Sequence, residues 1–297
     1  MNSLLKKFIL YINFDLRLSS NTVQSYQSDL DKYIGFINDR YNINDINLIV
    51  HTHIRKYIAH LTQTDHKPSS INRNISSIKK FHLYLFDNEL SSNNPADLIE
   101  SQKVIRDLPD TLSIYEIESI LEAVTLTSLN GPRDMAILSL LYSSGIRVSE
   151  LISLEFSNVF FNDDYIKIMG KGKKERLVPV GLRAKDNLVY YIKNHRKTSK
   201  LKSNAGVIFL SYRNKPLTRM AVFNIIKKYA NIAGVEKNIS PHTFRHSFAT
   251  HLINEGADIN SVKELLGHAS LSATQVYSHT SMERIKEVFQ NSHPRAK

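Results

Sequence analysis

The chain has 297 residues, of which 42% are hydrophobic and 23% charged, which is typical of a globular protein with one large domain or two ordinary ones. It contains no cysteine, which excludes disulfide bonds, thiolate metal ligands and a cysteine nucleophile and fits a reducing cytosol. The formal net charge is +11, which favours a polyanionic partner such as nucleic acid over a basic protein that has none.

The basic excess lies mainly in the second part of the chain. Residues 1–105 contain 12 Lys/Arg and 10 Asp/Glu, a balance of +2, and the remainder contains 27 and 18, a balance of +9. No apolar run approaches the roughly 20 residues that a membrane-spanning helix requires. The N-terminus, MNSLLKKFILYINFDLRL, also lacks the long apolar block of a signal peptide. The sequence therefore predicts no membrane partner.

The first hundred residues are predicted to form a small helical domain, residues 1–100. Apolar residues recur at helical spacing in four segments: 3–16, 19–40, 51–63 and 67–86. The second helix has an N-cap candidate at Ser20 or Asn21. Its apolar stripe comprises Val23, Tyr26, Leu30, Tyr33, Ile34 and Ile37. The stripe of the fourth helix comprises Ile71, Ile75, Ile78, Phe81, Leu83 and Leu85. Asn93-Asn94-Pro95 is predicted to end that helix.

An extended linker, residues 101–112, is predicted to lead to a second domain, residues 113–297. Ser113 and Glu116 have the spacing of a capping box at the start of its first helix. Three short strands with turns at Asn162-Asp163 and Gly170–Gly172 are predicted within FSNVFFNDDYIKIMGKGKKERLVPV. Predicted helices cover 113–124, 132–143, 147–153, 182–195, 217–233, 241–255, 258–266, 270–277 and 281–290. The fold is therefore predicted to be mainly α with a small antiparallel β insertion.

Four stretches of the second domain place polar or charged side chains where local structure does not require them. In SSGIRVSEL, Arg147 stands at the start of a predicted helix, where the helix dipole disfavours a cation. The alternative is a surface arginine paired with Glu150 three residues on.

The second stretch, MGKGKKERLVPV, places Lys171 at the tip of a predicted hairpin. An ammonium group there can reach into a groove, donate a proton or bind a phosphate. The alternative is an inert basic turn.

The third stretch, ISPHTFRHSFATHLI, contains two further candidates, His242 and Arg245. Proline at position 241 suits the first turn of a helix, which places His242 and Arg245 on one face at i, i+3 spacing. Its buried stripe is predicted to comprise Phe244, Phe248, Leu252 and Ile253. His246 and His251 are five residues apart, which is poor helical spacing for two ligands of one metal. The sequence therefore predicts no metal site.

The fourth stretch, GHASLSATQVYSHT, contains His268 and Tyr277. Gly267 is predicted to end one helix, with His268 just beyond it and Tyr277 on the next helix. The alternative for each residue taken alone is structural: His268 would be a capping or core histidine, and Tyr277 would be an aromatic packed in the core.

Together the four stretches fit phosphoryl transfer through a covalent tyrosine ester. Two arginines can hold the non-bridging oxygens of a phosphodiester and stabilise the charge of its transition state. A tyrosine hydroxyl, with an ordinary pKa of about 10, needs a proton acceptor such as histidine to act as a nucleophile. A lysine can protonate the departing 5′ oxygen. Such a site requires no metal and no cofactor.

The stretches GIRVSEL, GKGKKERLVP, HTFRHSFATHL and LLGHASLSATQVYSH resemble the motifs of the tyrosine recombinase (phage-type integrase) family, most closely its bacterial Xer branch. The resemblance extends over essentially the whole chain. It implies that Arg147 and Arg245 clamp the phosphate, and that Lys171 is the general acid. It further implies that His242 and His268 assist proton transfer, and that Tyr277 forms a 3′-phosphotyrosyl intermediate.

The resemblance also implies a domain architecture. A SAM-like core-binding domain and a mixed α/β catalytic domain are expected to form a C-shaped clamp around duplex DNA. The segments 22–26 and 70–80 resemble helices that enter the major groove. The side chains expected to contact DNA are Thr22, Tyr26, Arg73, Lys79 and Lys80. A solvated basic face would look the same in sequence.

The function implied is site-specific recombination that resolves chromosome dimers at cell division, in the bacterial cytoplasm at the nucleoid. The expected assembly is a tetramer of this chain, or of this chain and a paralogue, in which residues 281–297 dock on a neighbouring subunit. A septal DNA translocase is a further expected partner. Two alternatives stay open: an integrase of a phage or mobile element, and a DNA-binding protein without chemistry.

Overall fold

The computed structural model describes residues 1–102, 111–170, 175–196, 206–267 and 279–296, with side chains in the last segment described from residue 283. The chain divides into two compact units, Met1–Asp107 and Leu108–Lys297. Within the described residues, no helix is long and apolar enough to cross a membrane.

The described part of the first unit is helical. Its α-helices are α1 (Asn2–Phe14), α2 (Ser20–Tyr41), α3 (His51–Gln63) and α4 (Pro68–Asp87), with a short 3-10 turn at Ile46–Leu48. Ser19 caps α2 by accepting a hydrogen bond from the backbone N–H of Thr22, one residue before the predicted cap. Proline 68 stands in the first turn of α4, where its missing N–H has no cost.

Two details of the predicted fourth helix are wrong. The helix ends at Asp87 and not at Asn93-Asn94-Pro95, because the chain reverses at Glu89 (φ 55°) and the N–H of Leu90 returns to the carbonyl of Leu85. Leu83 is 48% exposed, whereas Leu85 is fully buried. Residues two apart lie roughly 200° apart around a helix, so both cannot face one core.

The core of the first unit forms where the apolar stripes of its four helices meet. One fully buried aromatic residue from each helix packs there: Phe8, Tyr33, Tyr57 and Phe81. Among the described residues of this core, the buried side-chain polar atoms are paired, as expected for buried groups, except for Nδ1 of His82, which has no hydrogen-bond partner. The Tyr33 hydroxyl lies 3.0 Å from Nε2 of buried His82, and burial lowers the pKa of His82 to about 4.

The second unit is mostly helical with one small sheet. Its elements are α5 (Ile114–Glu122), α6 (Gly131–Ser144), α7 (Val148–Ile152), β1 (Val159–Phe160), β2 (Tyr165–Met169), β3 (Glu175–Pro179), α8 (Leu182–Asn194), α9 (Arg219–Ile232), α10 (Pro241–Asn254), α11 (Ile259–Leu266) and α12 (His279–Ser292). A 3-10 turn covers Phe156–Asn158. The capping box of Ser113 and Glu116 is confirmed. The predicted helix 270–277 lies outside the described residues.

The strands form an antiparallel sheet in the order β1-β2-β3, as predicted. Ile166 pairs with Val178, and Ile168 pairs with Arg176. The Asn162-Asp163 turn between β1 and β2 is confirmed, with Asp164 in a left-handed conformation (φ 60°). The second predicted turn, at Gly170–Gly172, lies largely outside the described residues.

Helix α6 lies at the centre of the second unit, and most of its residues are buried. It ends at Gly145 in a left-handed conformation (φ 57°), where a side-chain carbon would lie 2.4 Å from the ring of Phe248. Only glycine therefore allows α10 to pack this closely against the end of α6. Phe244, Phe248 and Leu252 are buried as predicted, but Ile253 is 42% exposed because it lies about 100° around α10 from Leu252.

The C-terminal segment packs against its own unit in this single chain. Nε2 of buried His293 lies 3.3 Å from the carbonyl oxygen of Tyr142, and the N–H of Leu182 donates to the carbonyl of Ala296. Docking of residues 281–297 on a neighbouring subunit stays a prediction.

Candidate active site

The candidate site is centred on the short connection between α6 and α7. Arg147 is the N-cap residue of α7, and Glu150 completes a capping box with it. The backbone N–H of Arg147 donates to Oε2 of Glu150 at 2.7 Å, and its Nη1 donates to Oε1 at 3.0 Å. The i, i+3 ion pair considered as the alternative for Arg147 is therefore present. The Arg147 side chain remains 38% exposed, so part of its guanidinium faces solvent.

A second arginine holds Glu150 from the other side. Arg176 on β3 is buried, and its two terminal nitrogens donate to the two carboxylate oxygens of Glu150, each at 2.9 Å. Burial alone would raise the pKa of the Glu150 carboxyl. The hydrogen bonds and charge of Arg176, together with the contacts from Arg147, outweigh burial and lower that pKa. Glu150 is therefore ionised at neutral pH.

Arg245 lies on α10, three residues after His242, and its guanidinium is buried beside the same connection. Nη1 donates to the carbonyl of Gly145 at 2.6 Å, and Nη2 donates to the carbonyl of Leu266 at 2.5 Å. Burial, followed by the positive charge of Arg147, lowers the pKa of Arg245 to about 10. The side chain is still protonated at neutral pH, and its orientation is fixed by two carbonyls.

Arg147, Arg176 and Arg245 thus surround one carboxylate. Arg147 and Arg176 contact Glu150 directly, and Arg245 is close enough for the charges of Arg147, Glu150 and Arg176 all to affect its pKa. Three positive charges against one negative charge leave a surplus of two. Such a surplus, with one guanidinium partly exposed, favours binding of an anion that carries several oxygens.

Of the remaining predicted site residues, only His242 lies in the part of the chain that the structure describes. His242 is the second residue of α10 and is exposed; within the described part of the chain it makes no side-chain hydrogen bond or ion pair. Lys171, His268 and Tyr277 lie outside the described residues. The structure therefore brings together Arg147 and Arg245 and leaves His242 one helical turn from Arg245.

The histidines that could suggest a metal site have other environments. His251 is buried, and its Nδ1 lies 2.8 Å from the hydroxyl of Tyr142. Burial lowers the pKa of His251, which favours the neutral ring. In the segments that the structure describes, no group of three or more His, Cys, Asp or Glu side chains could hold a metal ion.

Arg176 is the site residue that the sequence did not single out. On β3 it has the same parity as Val178, whose side chain is fully buried, so strand alternation directs both to the interior. A charged residue at an inward position must be paired. This parity was the signal that could have identified it.

The residues of the first unit expected to contact DNA have partners of their own. Arg73 forms two hydrogen bonds with Asp29, at 2.9 and 2.8 Å, and its side chain is 49% exposed. Lys79 donates to the carbonyls of two residues after α4, at positions 97 and 99. Tyr26 and Lys80 form a cation–π contact between α2 and α4, with Nζ 5.6 Å from the ring centre.

Thr22 is half-buried in the first turn of α2. Its hydroxyl lies 2.7 Å from that of the capping residue, Ser19. All five residues expected to contact DNA lie on α2 or α4, and these two helices pack together. Their contact with DNA stays a prediction.

Known proteins resemble the chain over its full length. Residues 111–284 match the Phage integrase family, and residues 5–89 match its N-terminal SAM-like domain. Tyrosine recombinase XerD of Staphylococcus aureus is 38% identical over 296 residues, 100% of both proteins. The crystal structure of XerA recombinase is 26% identical, with a TM-score of 0.50 over 99% of each chain. The Tn1549 transposon integrase, in complex with transposon right end DNA, is 18% identical, with a TM-score of 0.76 over 95% of this chain and 98% of that one.

These similarities confirm the resemblance seen in the four sequence stretches and the predicted fold class. The integrase match covers more than half of the chain, and the similarity to XerD covers all of it. The chain therefore belongs to the phage integrase family, the tyrosine recombinases.

Proposed function

We propose that the protein is a site-specific DNA recombinase that cleaves and rejoins strands through a 3′-phosphotyrosyl intermediate. The observation that carries this proposal is the cluster of three arginines around Glu150, in which Arg147 stays partly exposed. The full-length similarity to XerD supports chromosome-dimer resolution as its role.

In this proposal Arg147 and Arg245 bind the non-bridging oxygens of the scissile phosphate. Arg245 is held by the carbonyls of Gly145 and Leu266, so little reorganisation is needed when charge builds up on the phosphate. Arg147 uses one terminal nitrogen for Glu150, which leaves its other donors for the substrate. Donors fixed in advance stabilise a transition state more than donors that must reorient.

The bond changes are assigned from the family motifs. The Tyr277 oxygen attacks phosphorus, the bond from phosphorus to the 5′ oxygen breaks, and the tyrosine proton passes to His268 or His242. Lys171 donates a proton to the departing 5′ oxygen. The phosphotyrosyl ester retains the energy of the broken bond, so a 5′ hydroxyl can reverse the reaction on another strand without ATP.

Duplex DNA is the proposed partner. The balance of +9 in the second part of the chain suits a polyanion, and the structurally similar Tn1549 integrase is in complex with DNA. Residues 1–100 would form the core-binding domain, 101–112 the linker and 113–297 the catalytic domain. Tyr26, Arg73 and Lys80, with Thr22 and Lys79, would contact DNA.

The assembly in this proposal is a tetramer on two DNA sites, made of this chain alone or with a paralogue. The C-terminal segment 281–297 would dock on a neighbouring subunit, and a septal DNA translocase would regulate the complex in the cytoplasm at the nucleoid. A mobile-element integrase is the second candidate, favoured by the similarity of fold to the Tn1549 integrase.

The proposal is tested with a nicked duplex that carries the protein's own site, located by footprinting across the source genome. The nick lets the short cleaved fragment escape, so a covalent adduct accumulates. Wild-type protein should form the adduct, and Tyr277→Phe should bind the same DNA without forming it. An adduct with Tyr277→Phe would contradict the assignment of the nucleophile. A single chromosomal site favours dimer resolution, whereas sites at the ends of a mobile element favour the second candidate.

A further inference from the structure

Arg176 has no part in the proposed chemistry, yet each of its three guanidinium nitrogens donates a hydrogen bond. It is only 5% exposed. Its terminal nitrogens bind both oxygens of Glu150, and its Nε donates to the carbonyl of Leu265 at 3.2 Å. A buried ion pair is often no more stabilising than apolar residues of the same size. Stability alone is therefore a poor explanation for an arginine at this position.

The geometry around Glu150 indicates what Arg176 does. Each carboxylate oxygen of Glu150 accepts one hydrogen bond from Arg176 and one from Arg147. The bidentate contact with Arg176 fixes the plane of the carboxylate, and this plane directs the guanidinium of Arg147. Arg176 also balances the charge of Glu150, so Arg147 keeps its own charge available for an anion.

Arg176 also contacts the end of α11. Its Nε binds the carbonyl of Leu265, while Arg245 binds the next carbonyl, that of Leu266. Gly267 follows in a left-handed conformation (φ 66°), and a side-chain carbon there would lie 3.0 to 3.1 Å from the Arg176 side chain. One guanidinium therefore connects β3, the first turn of α7 and the last turn of α11.

We propose that Arg176 is a positioning residue of the cleavage reaction, which holds Glu150 and the end of α11 so that Arg147 and Arg245 meet the scissile phosphate together. This inference rests on the proposed function. Arg176 contacts no reacting atom in this role and acts through the two arginines. Its loss should therefore reduce catalysis at the phosphate more than it reduces DNA binding.

The test compares two nicked substrates that differ only at the scissile position. One has the natural phosphodiester, and the other has a methylphosphonate, which is neutral and depends less on guanidinium groups. The full-length variants are Arg176→Met, Arg176→Lys and Arg147→Ala. A matched control is Arg133→Met, because Arg133 also binds a buried carboxylate, that of Asp134, and one backbone carbonyl, that of Leu210.

With the phosphodiester, Arg176→Met should slow adduct formation by about 100-fold, because Arg147 is then no longer held in place and its contribution as a transition-state donor is lost. With the methylphosphonate, the loss should shrink by about tenfold or more, and the loss for Arg147→Ala should shrink in the same way. Arg133→Met should slow adduct formation by the same factor on both substrates, whatever its effect on the melting temperature. Arg176→Lys keeps the charge but cannot bridge all three acceptors, so its rate on the phosphodiester should fall below wild type by less than about 100-fold. This comparison with wild type remains possible even if the methionine variant fails to fold.

Other outcomes overturn the inference. Equal losses on the two substrates for Arg176→Lys, as for Arg133→Met, would reduce Arg176 to a stabilising residue. A wild-type rate for the folded lysine variant on the phosphodiester would do the same. Absence of an adduct with the wild-type chain, or an adduct with Tyr277→Phe, would instead contradict the proposed function, and the inference would fail with it.

Discussion

Each unit of the molecule contains a buried carboxylate bound by an arginine through two hydrogen bonds, and the two pairs differ in charge balance. In the first unit, Asp29 is bound by Arg73 and by the hydroxyl of Ser77. In the second, Glu150 is bound by both Arg147 and Arg176. The first pair is neutral, whereas the second belongs to a cluster with surplus positive charge.

This difference shows which of the two pairs is suited to an anion. A carboxylate paired with one cation forms a neutral pair, and a neutral pair does not attract an anion. The cluster at Glu150 also contains Arg245, whose pKa is lowered by burial and by its neighbouring cations. Binding an anion would relieve that repulsion. Both units contain a bidentate contact between an arginine and a carboxylate, so the count of charges is the better guide to function.

The largest expected difference between the two pairs is their effect on the rate of catalysis. Arg147→Ala should slow formation of the covalent adduct by about 100- to 1,000-fold, because a fixed donor to the transition state is lost. Arg73→Ala should leave the rate at saturating DNA unchanged. Single-turnover kinetics on the nicked duplex measures both rates. A similar slowing by the two variants would remove the functional distinction between the pairs.

Loss of the carboxylate should also lower the free energy of unfolding more at Glu150 than at Asp29. Glu150→Gln leaves three buried or half-buried arginines without a counter-charge, so the free energy of unfolding should fall by about 3 kcal/mol. Asp29→Asn should cost about 1 to 2 kcal/mol, because the half-exposed Arg73 can turn towards solvent. Denaturant unfolding of the full chain, with hydrogen exchange to distinguish the units, measures the two losses. A larger loss for Asp29→Asn would reverse the argument.

Acid should destabilise the first unit through His82. Burial lowers the pKa of His82 from its ordinary 6.5 to about 4, so the unfolded chain binds a proton that the folded unit excludes. The free energy of unfolding is therefore highest above pH 6.5 with respect to this group. It falls as the pH drops from 6.5 to 4, by about 3 kcal/mol at most.

The check is the unfolding free energy of the first unit at several pH values in that range. His82→Gln keeps an amide for the Tyr33 hydroxyl and removes the titrating ring, so it should flatten the curve. A decline of the same size in the glutamine variant would assign the acid sensitivity to another group.

Much of the fold could be predicted because its signals are local. The capping box of Ser113 and Glu116 spans four residues, and the apolar stripes of α2 and α4 follow helical periodicity over a few turns. The errors at Leu83 and Ile253 arose at positions next to truly buried residues, where one further step around the helix reaches solvent.

The candidate site could be predicted only in part, because its charges meet through tertiary packing. Arg147 and Glu150 are three residues apart, and their pair was considered from the sequence. Arg176 is 26 residues from Glu150, and their contact depends on how β3 packs against α7. No local pattern specifies that contact, and only the inward parity of Arg176 in its strand indicates a buried partner.

The smallest expected effect concerns DNA affinity in the first unit. Asp29 holds Arg73 through Nε and Nη2, which leaves Nη1 on a half-exposed side chain to contact one phosphate. Arg73→Ala should weaken binding by a few-fold and lower the slope of log affinity against log salt concentration by about 0.9, the value for one phosphate contact. Binding isotherms at several salt concentrations measure both quantities.

Arg55→Ala, on an exposed position of α3, is a control for general loss of charge. An unchanged slope for Arg73→Ala would show that the Asp29 pair has only a structural role, and the two arginine pairs would then differ in function as fully as they differ in charge.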